Sequence, residues 1–323
     1  MKDLASLLEI IENGIENLDY PDNPDLLYNP IRYIMGVPGK RIRPLLVLMA
    51  HQLFDENLEK AISSAIAIEH FHNFTLLHDD IMDNAPLRRG RPTVHEKWNN
   101  NIAILSGDVM MIQAYQLLLE VDHKNLRQVL DVFSKTAIKV CEGQQLDIEF
   151  EDRIAVSEED YFEMIEGKTA VMFLTCAEVG SRMAGADDET IQCMADWGLA
   201  VGLCFQLMDD LIDVLSDSDT LGKPAGSDLA QGKRTLMVIH ALSQSDSGEL
   251  DNLKAVLGKG EDATQEQIDL GLLALNKIGS VDYAKKKAEM YHSKAHACLD
   301  RLPDSPAILA LRELTDYQLK RIS

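Results

Sequence analysis

Apolar residues recur every three to four positions along most of the chain. In the first segment Leu4, Leu7, Leu8, Ile11 and Ile15 share one face, and a Pro/Asn/Asp cluster at residues 21–30 ends the run. Residues 44–54 read as a buried helix entered by Pro44, proline being favoured at the first helical position. Further helices are predicted from 58 to the low eighties and over 101–120, 124–150, 158–184 and 188–215. A last group covers 233–244, 248–258, 264–277, 280–301 and 304–321. Loops at 84–100 and 216–232 carry Gly, Pro, Arg and Lys. Strand signals are scarce, because β-branched and polar residues do not alternate between turn clusters. Several helices are apolar nearly all round, as the buried layer of a large bundle must be. The expectation is an all-α chain, one domain over 1–323, with no linker or shift of composition dividing it.

Charge narrows the function. The 323 residues hold 31 Lys and Arg against 53 Asp and Glu, a formal net charge of −22. That field repels nucleic acid and anionic membranes, and any anionic substrate would need local cations or metals to approach. Five cysteines, odd in number and without a CxxC pair, argue for reduced thiols and a cytoplasmic setting. The acidic, amphipathic N-terminus is unlike a signal peptide. No uninterrupted apolar run approaches the ~18–20 residues of a span, so no stable membrane insertion is expected.

The chemistry concentrates in one repeated pattern. Leu76-Leu77-His78-Asp79-Asp80-Ile81-Met82-Asp83 recurs 130 positions later around Asp209, Asp210 and Asp213. Each is DDxxD at the end of an apolar helix. Asp79 and Asp83 then share a helical face about 6 Å apart along the axis, and so do Asp209 and Asp213. Two like charges at ~4 Å repel by roughly 4 kcal/mol at an effective dielectric near 20. Facing clusters of this kind need cations, and hard oxygen ligands with room for water suit Mg²⁺. The isolated pair Asp187-Asp188, by contrast, reads as a helix cap.

Positive charge lies beside these clusters in four islands: Gly39-Lys40-Arg41-Ile42-Arg43-Pro44, Arg88-Arg89-Gly90-Arg91, Gly222-Lys223-Pro224 and Gly232-Lys233-Arg234-Thr235. The first stands at a helix start, where amides and the helix dipole favour anions. The economical reading is a diphosphate bound through Mg²⁺ to aspartates and directly to Lys and Arg. Arg41, Arg91 and Arg234 enter only as members of their islands.

With GKRIRP, HxxxxxHDDxxD followed by RRG, GKTA at 167–170, FQxxDDxxD and DLxQGKRT, the chain resembles the trans-isoprenyl diphosphate synthases, or polyprenyl synthetases, from about Gly39 to Thr235. The resemblance implies a class I isoprenoid fold in which the two clusters face a central cavity and hold about three Mg²⁺ around an allylic diphosphate. Asp79, Asp80, Asp83, Asp209, Asp210 and Asp213 then form the metal site, with Asp79, Asp83 and Asp209 as its most direct ligands. Arg88, Lys168, Thr169, Gln206, Lys223 and Lys233 match contacts to the allylic diphosphate, Lys168 and Lys223 also assisting its departure. Lys40, Arg43, His72 and Arg89 match contacts to isopentenyl diphosphate. Gln144 and Asp147 resemble a GQxxD lip. A homodimer is expected from the family. Helical geometry independently sets His72 within about 20° of the Asp79 face, roughly 10 Å along the helix.

Product length should depend on what blocks the cavity below the first cluster. Phe74 lies five residues before Asp79 and Phe71 nearly a turn deeper, while Thr75 stands where some farnesyl enzymes place a second aromatic. One aromatic at that depth without a motif insertion resembles the C20 class, geranylgeranyl diphosphate synthases, with the C15 farnesyl class next. Two departures stand out: the family's GGK reads Pro38-Gly39-Lys40, and Met237 stands where relatives often carry Pro. Competing readings each leave residues unexplained. A di-iron bundle built on Glu69-x-x-His72 and Glu289-x-x-His292 ignores both DDxxD motifs. A terpene cyclase has no use for GKRIRP and RRG. A non-catalytic partner subunit would be expected to have lost some of these side chains.

Overall fold

The computed structural model describes residues 2–120, 124–153, 155–215, 225–244 and 248–320. They are helical almost throughout, and a pair of two-residue strands is the only sheet among them. The predicted all-α class is what the chain adopts.

By its contacts the chain divides into two compact units. The first comprises 1–133, 176–194 and 305–307. Its axis is the helix Glu59–Met82, against which the helices Leu4–Glu16, Ile42–Gln52 and Asn100–Leu119 pack. Surrounded in this way, residues 64–71 of that helix are buried without a break, even though Glu69 and His70 are among them. Both polar side chains have partners. Glu69 accepts from Arg41 at 2.8 Å, and His70 Nε2 meets the Tyr20 hydroxyl at 2.9 Å. The second unit comprises 134–175, 195–304 and 308–323. Its core is aliphatic, with Leu203, Leu207 and Leu211 joined by Leu236, Val238, Leu253, Leu275 and Ala288.

Local chemistry sets the boundaries. Asp187 accepts from the Thr190 amide, the cap expected of that pair, and opens the helix Asp188–Leu215. Ser157 with Asp160 and Thr264 with Gln267 form capping boxes. The predicted helix over 158–184 is interrupted by a π-helical turn at Glu166–Ala170.

Two elements depart from the expectation. The cluster at 21–30 does not remain irregular: Asp25–Met35 is a helix with Pro30 inside it, its cost offset by burial of Pro30, Ile31, Ile34 and Met35. The loop 84–100 contains the strands Leu87–Arg88 and Arg91–Pro92 and a short helix, Val94–Lys97. Asn100–Leu119 is the one described helix long and apolar enough to cross a membrane by length and composition. It carries Asp108 and Gln113 and packs along Glu59–Met82.

Candidate active site

In the first unit, Asn84 at φ 49° ends the helix Glu59–Met82 just beyond Asp83. The two strands then form a tight hairpin pairing Leu87 with Pro92 and Arg88 with Arg91. Its turn residues, Arg89 and Gly90, have φ of 51° and 72°, the two left-handed positions that match strand twist. This fold-back brings Arg88 onto the aspartates. Arg88 Nε donates to Asp80 Oδ1 at 2.8 Å, and its terminal nitrogen lies 2.7 Å from the same oxygen and 3.5 Å from Asp79 Oδ2. The Asp80 side chain is 3% exposed, whereas Asp79 is 23% exposed and Asp83 lies at the surface. Burial pushes the Asp80 carboxyl above its usual range, against the pull of Arg88. Asp80 therefore anchors an arginine, and Asp79 and Asp83 are the cluster's accessible carboxylates.

The predicted isopentenyl contacts also gather here. Arg43 Nη1 donates to His72 Nε2 at 3.2 Å. Burial, then the charges of Arg43, Arg89 and Arg88, push His72 well below the usual imidazole range, so its ring is neutral. Arg89 Nη1 donates to the Pro38 carbonyl at 3.1 Å. A Cβ at Gly39 would lie 2.3 Å from that nitrogen, so glycine is what lets the Pro38-Gly39-Lys40 turn meet the guanidinium. The Pro38 departure thus leaves a working acceptor, and Lys40 beside it is exposed. Arg41 belongs to the scaffold instead. It is buried and donates to Glu12, Glu69 and the Met35 carbonyl. That pairing engages the Glu69 carboxylate, which the di-iron reading required as a ligand.

Phe71 and Phe74 separate. Phe71 is 1% exposed, with its ring between Phe74 and Phe133, and serves as core. Phe74 is only partly buried and packs edge-on against His78. Thr75 returns its hydroxyl to the His72 carbonyl.

In the second unit the same motif has different neighbours. Asp209 is exposed, while Asp210 and Asp213 are buried. Asp210 accepts from the Tyr161 hydroxyl at 2.7 Å and from Gln206 Nε2 at 2.8 Å, and Gln206 in turn accepts from Thr169 at 2.8 Å. Burial raises the Asp210 carboxyl to about 7 despite these two donors. Asp213 accepts from Ser227 Oγ and the Asp228 amide, holding the start of the short helix Ser227–Gln231. Lys233 Nζ lies 3.7 Å from Asp228. Lys223 lies outside the described residues.

GKTA and the GQxxD lip prove to be two sides of one contact. A Cβ at Gly143 would sit 2.1 Å from the Lys168 amide, and one at Gly167 would sit 2.9 Å from the Lys139 carbonyl. The two backbones touch, and Lys168 Nζ donates to Asp147 at 2.5 Å. The π-helical turn carries Lys168 and Thr169 together, a common setting for functional residues. Arg234, like Arg41, is structural: it donates to the carbonyls of Phe150 and Arg153. Sequence reasoning missed Tyr161. The available signal was a tyrosine on the apolar side of an otherwise acidic helix, since a buried phenol needs a partner.

Two carboxylate motifs of the same spacing, each with a Lys or Arg side chain in its own unit, stand on an all-α fold. Residues 24–270 match the polyprenyl synthetase family model. The chain is 39% identical over 313 residues to a geranylgeranyl diphosphate synthase of Methanosarcina mazei, covering 96% of this chain and 94% of that protein. It is 35% identical to a geranylfarnesyl diphosphate synthase of Natronomonas pharaonis, covering 98% and 96%. Among solved structures, geranylgeranyl pyrophosphate synthetase from Pyrococcus horikoshii superimposes with a TM-score of 0.92 at 37% identity, covering 98% and 97%. The chain belongs to the polyprenyl synthetase family. It is an enzyme, a prenyltransferase.

Proposed function

We propose that this chain condenses isopentenyl diphosphate head-to-tail with allylic diphosphates, releasing diphosphate, with a C20 product favoured over C15. One observation carries the reading: Arg43, His72, Arg88 and Arg89 gather beside the first aspartate cluster. Arg43 and Arg89, with the neutral His72, give a second diphosphate its own seat, which a cyclase would not require. The named activities of the Methanosarcina and Pyrococcus relatives support C20. We assign both units to one catalytic domain and the protein to the cytoplasm.

The carboxylates of Asp79, partly buried, and of Asp83 and Asp209, both exposed, offer hard oxygen donors that fit Mg²⁺. Asp80, Asp210 and Asp213, already engaged by Arg88, Tyr161 and Ser227, orient the clusters. Asp79, Asp83 and Asp209 would hold Mg²⁺, about three ions by family resemblance, and the metal would supply charge neutralisation to the diphosphate as a leaving group. Arg88, Lys168, Lys223 and Lys233 add positive charge where negative charge grows as the C–O bond breaks, and Thr169 and Gln206 position it. Lys40, Arg43, His72 and Arg89 orient isopentenyl diphosphate so that its double bond attacks the allylic carbon, and the departing diphosphate takes the proton. Neutral His72 accepts from Arg43 without adding charge of its own. A homodimer is supported by Leu105, Ile112 and Leu119, all more than half exposed at seven-residue spacing on the helix Asn100–Leu119.

The deciding experiment combines purified protein, Mg²⁺, labelled isopentenyl diphosphate and the C5, C10 or C15 allylic diphosphate. Elongation to C20 is expected. Cyclised hydrocarbon formed without isopentenyl diphosphate would overturn the reading.

A further inference from the structure

One convergence of ligand-type side chains plays no part in the prenyl-transfer scheme. His292 and His296 lie one turn apart on the helix Ser280–Leu299, and Asp316 stands on the helix Pro306–Leu319. His292, which the di-iron reading took from the motif Glu289-x-x-His292, turns to Asp316. Both Nε2 atoms point at one oxygen: His292 is 2.9 Å and His296 2.8 Å from Asp316 Oδ1. One donor atom from each residue falls within 4.8 Å of the other two. The imidazole rings are tilted 63° with centroids 4.6 Å apart, so their donor atoms converge. All three side chains are partly exposed, leaving a path for an ion from solvent.

We propose that His292, His296 and Asp316 form a binding site for a borderline divalent transition ion, Zn²⁺ foremost, clamping the last two helices together. Two imidazoles and one carboxylate are the donor set such an ion prefers, whereas Mg²⁺ favours oxygens throughout. Three protein donors at ~2.0–2.2 Å leave the fourth tetrahedral position to water. Both histidines coordinate through Nε2 as neutral rings, their protons residing on Nδ1, so the two hydrogen bonds to Asp316 give way to metal bonds. One neighbour opposes the site. Arg312 Nη1 lies 3.4 Å from His296 Nδ1, while Nη2 is held by Asp300 at 2.6 Å. A proton on Nδ1 meets that guanidinium, so Arg312 weakens the metal-bound form.

The test is a competition titration of Zn²⁺ into the untagged full chain in millimolar Mg²⁺, which occupies oxygen sites. One equivalent should bind and raise the melting temperature. His292→Ala and His296→Ala should each weaken binding by at least ~10-fold and abolish the thermal shift. Both should keep prenyl transfer with Mg²⁺, while Arg312→Ala should tighten binding several-fold. Should an alanine variant unfold, the Cu²⁺-loaded parent protein provides a second readout, nitrogen hyperfine coupling from two imidazoles. Unchanged Zn²⁺ affinity in both folded histidine variants, or a Cu²⁺ spectrum without nitrogen coupling, would overturn the proposal.

Discussion

The two aspartate motifs are the same in sequence and unlike in surroundings. In the first, the buried middle carboxylate, Asp80, is held by a guanidinium. In the second, Asp210 is held by a phenol and an amide, both neutral. The third residue differs as well: Asp83 is exposed, while Asp213 is buried and fastens Ser227 and Asp228. Only the first position, Asp79 or Asp209, is accessible in both. Identical motifs therefore divide their carboxylates between binding and scaffolding in different ways. Net charge explains part of the contrast. In a chain at −22, the first site collects Arg43, Arg88 and Arg89 to admit anions, and the second holds a buried carboxyl that burial raises to about 7.

The largest effects should come from the accessible pair. Asp79→Ala or Asp209→Ala is expected to lower turnover by ~10²-fold or more, the scale of removing one preorganised electrostatic element, as steady-state kinetics will read. Arg88→Met strands Asp80 in the interior. It should cost about 3 kcal/mol in urea unfolding and raise KM for the allylic substrate. Tyr161→Phe removes a neutral donor and should cost less, about 1–2 kcal/mol. Because that donor lowers the Asp210 pKa, its loss should move the acidic limb of the pH–rate profile to higher pH.

The neutral-donor site also predicts a pH signature. In metal-free protein the folded state keeps a proton on Asp210 that the unfolded chain releases above its ordinary pKa, about 4. Stability from this group is full at low pH and lost as pH rises toward about 7. Asp210→Asn should flatten that decline in chemical-denaturation curves, and an unchanged slope would count against the assignment. The smallest change is redistribution: Phe74→Ala should lengthen products on mass spectra with little change in rate, while identical products would remove Phe74 as the floor.

How far the sequence could be read varied with the physics behind each feature. Long apolar stretches without a turn cluster, such as Glu59–Met82 and Asp188–Leu215, are legible as helices because strands are seldom so long. Asp25–Met35 was not, because Pro24 and Pro30 in an Asn/Asp-rich stretch signal a break, and only tertiary burial of Ile31 and Ile34 overrides that. The RRG hairpin was hidden too, since an arginine at positive φ is not a usual turn residue. At the site, spacing and charge pointed to every aspartate but could not show which were spoken for. Arg41 and Arg43 sit two residues apart in one basic island, yet one is buried against Glu69 and the other faces His72. Tyr161 belongs to no motif, and its role exists only through a hydrogen bond spanning 49 residues of chain.

The central claim is that each aspartate cluster is needed for Mg²⁺-dependent binding of an allylic diphosphate. Calorimetric binding of an unreactive allylic thiodiphosphate tests it most directly, in wild type, Asp79→Ala and Asp209→Ala, with Mg²⁺ and with chelator. Mg²⁺-dependent binding should be strong in wild type and severely weakened in each variant. Full Mg²⁺-dependent affinity in either one would contradict the account.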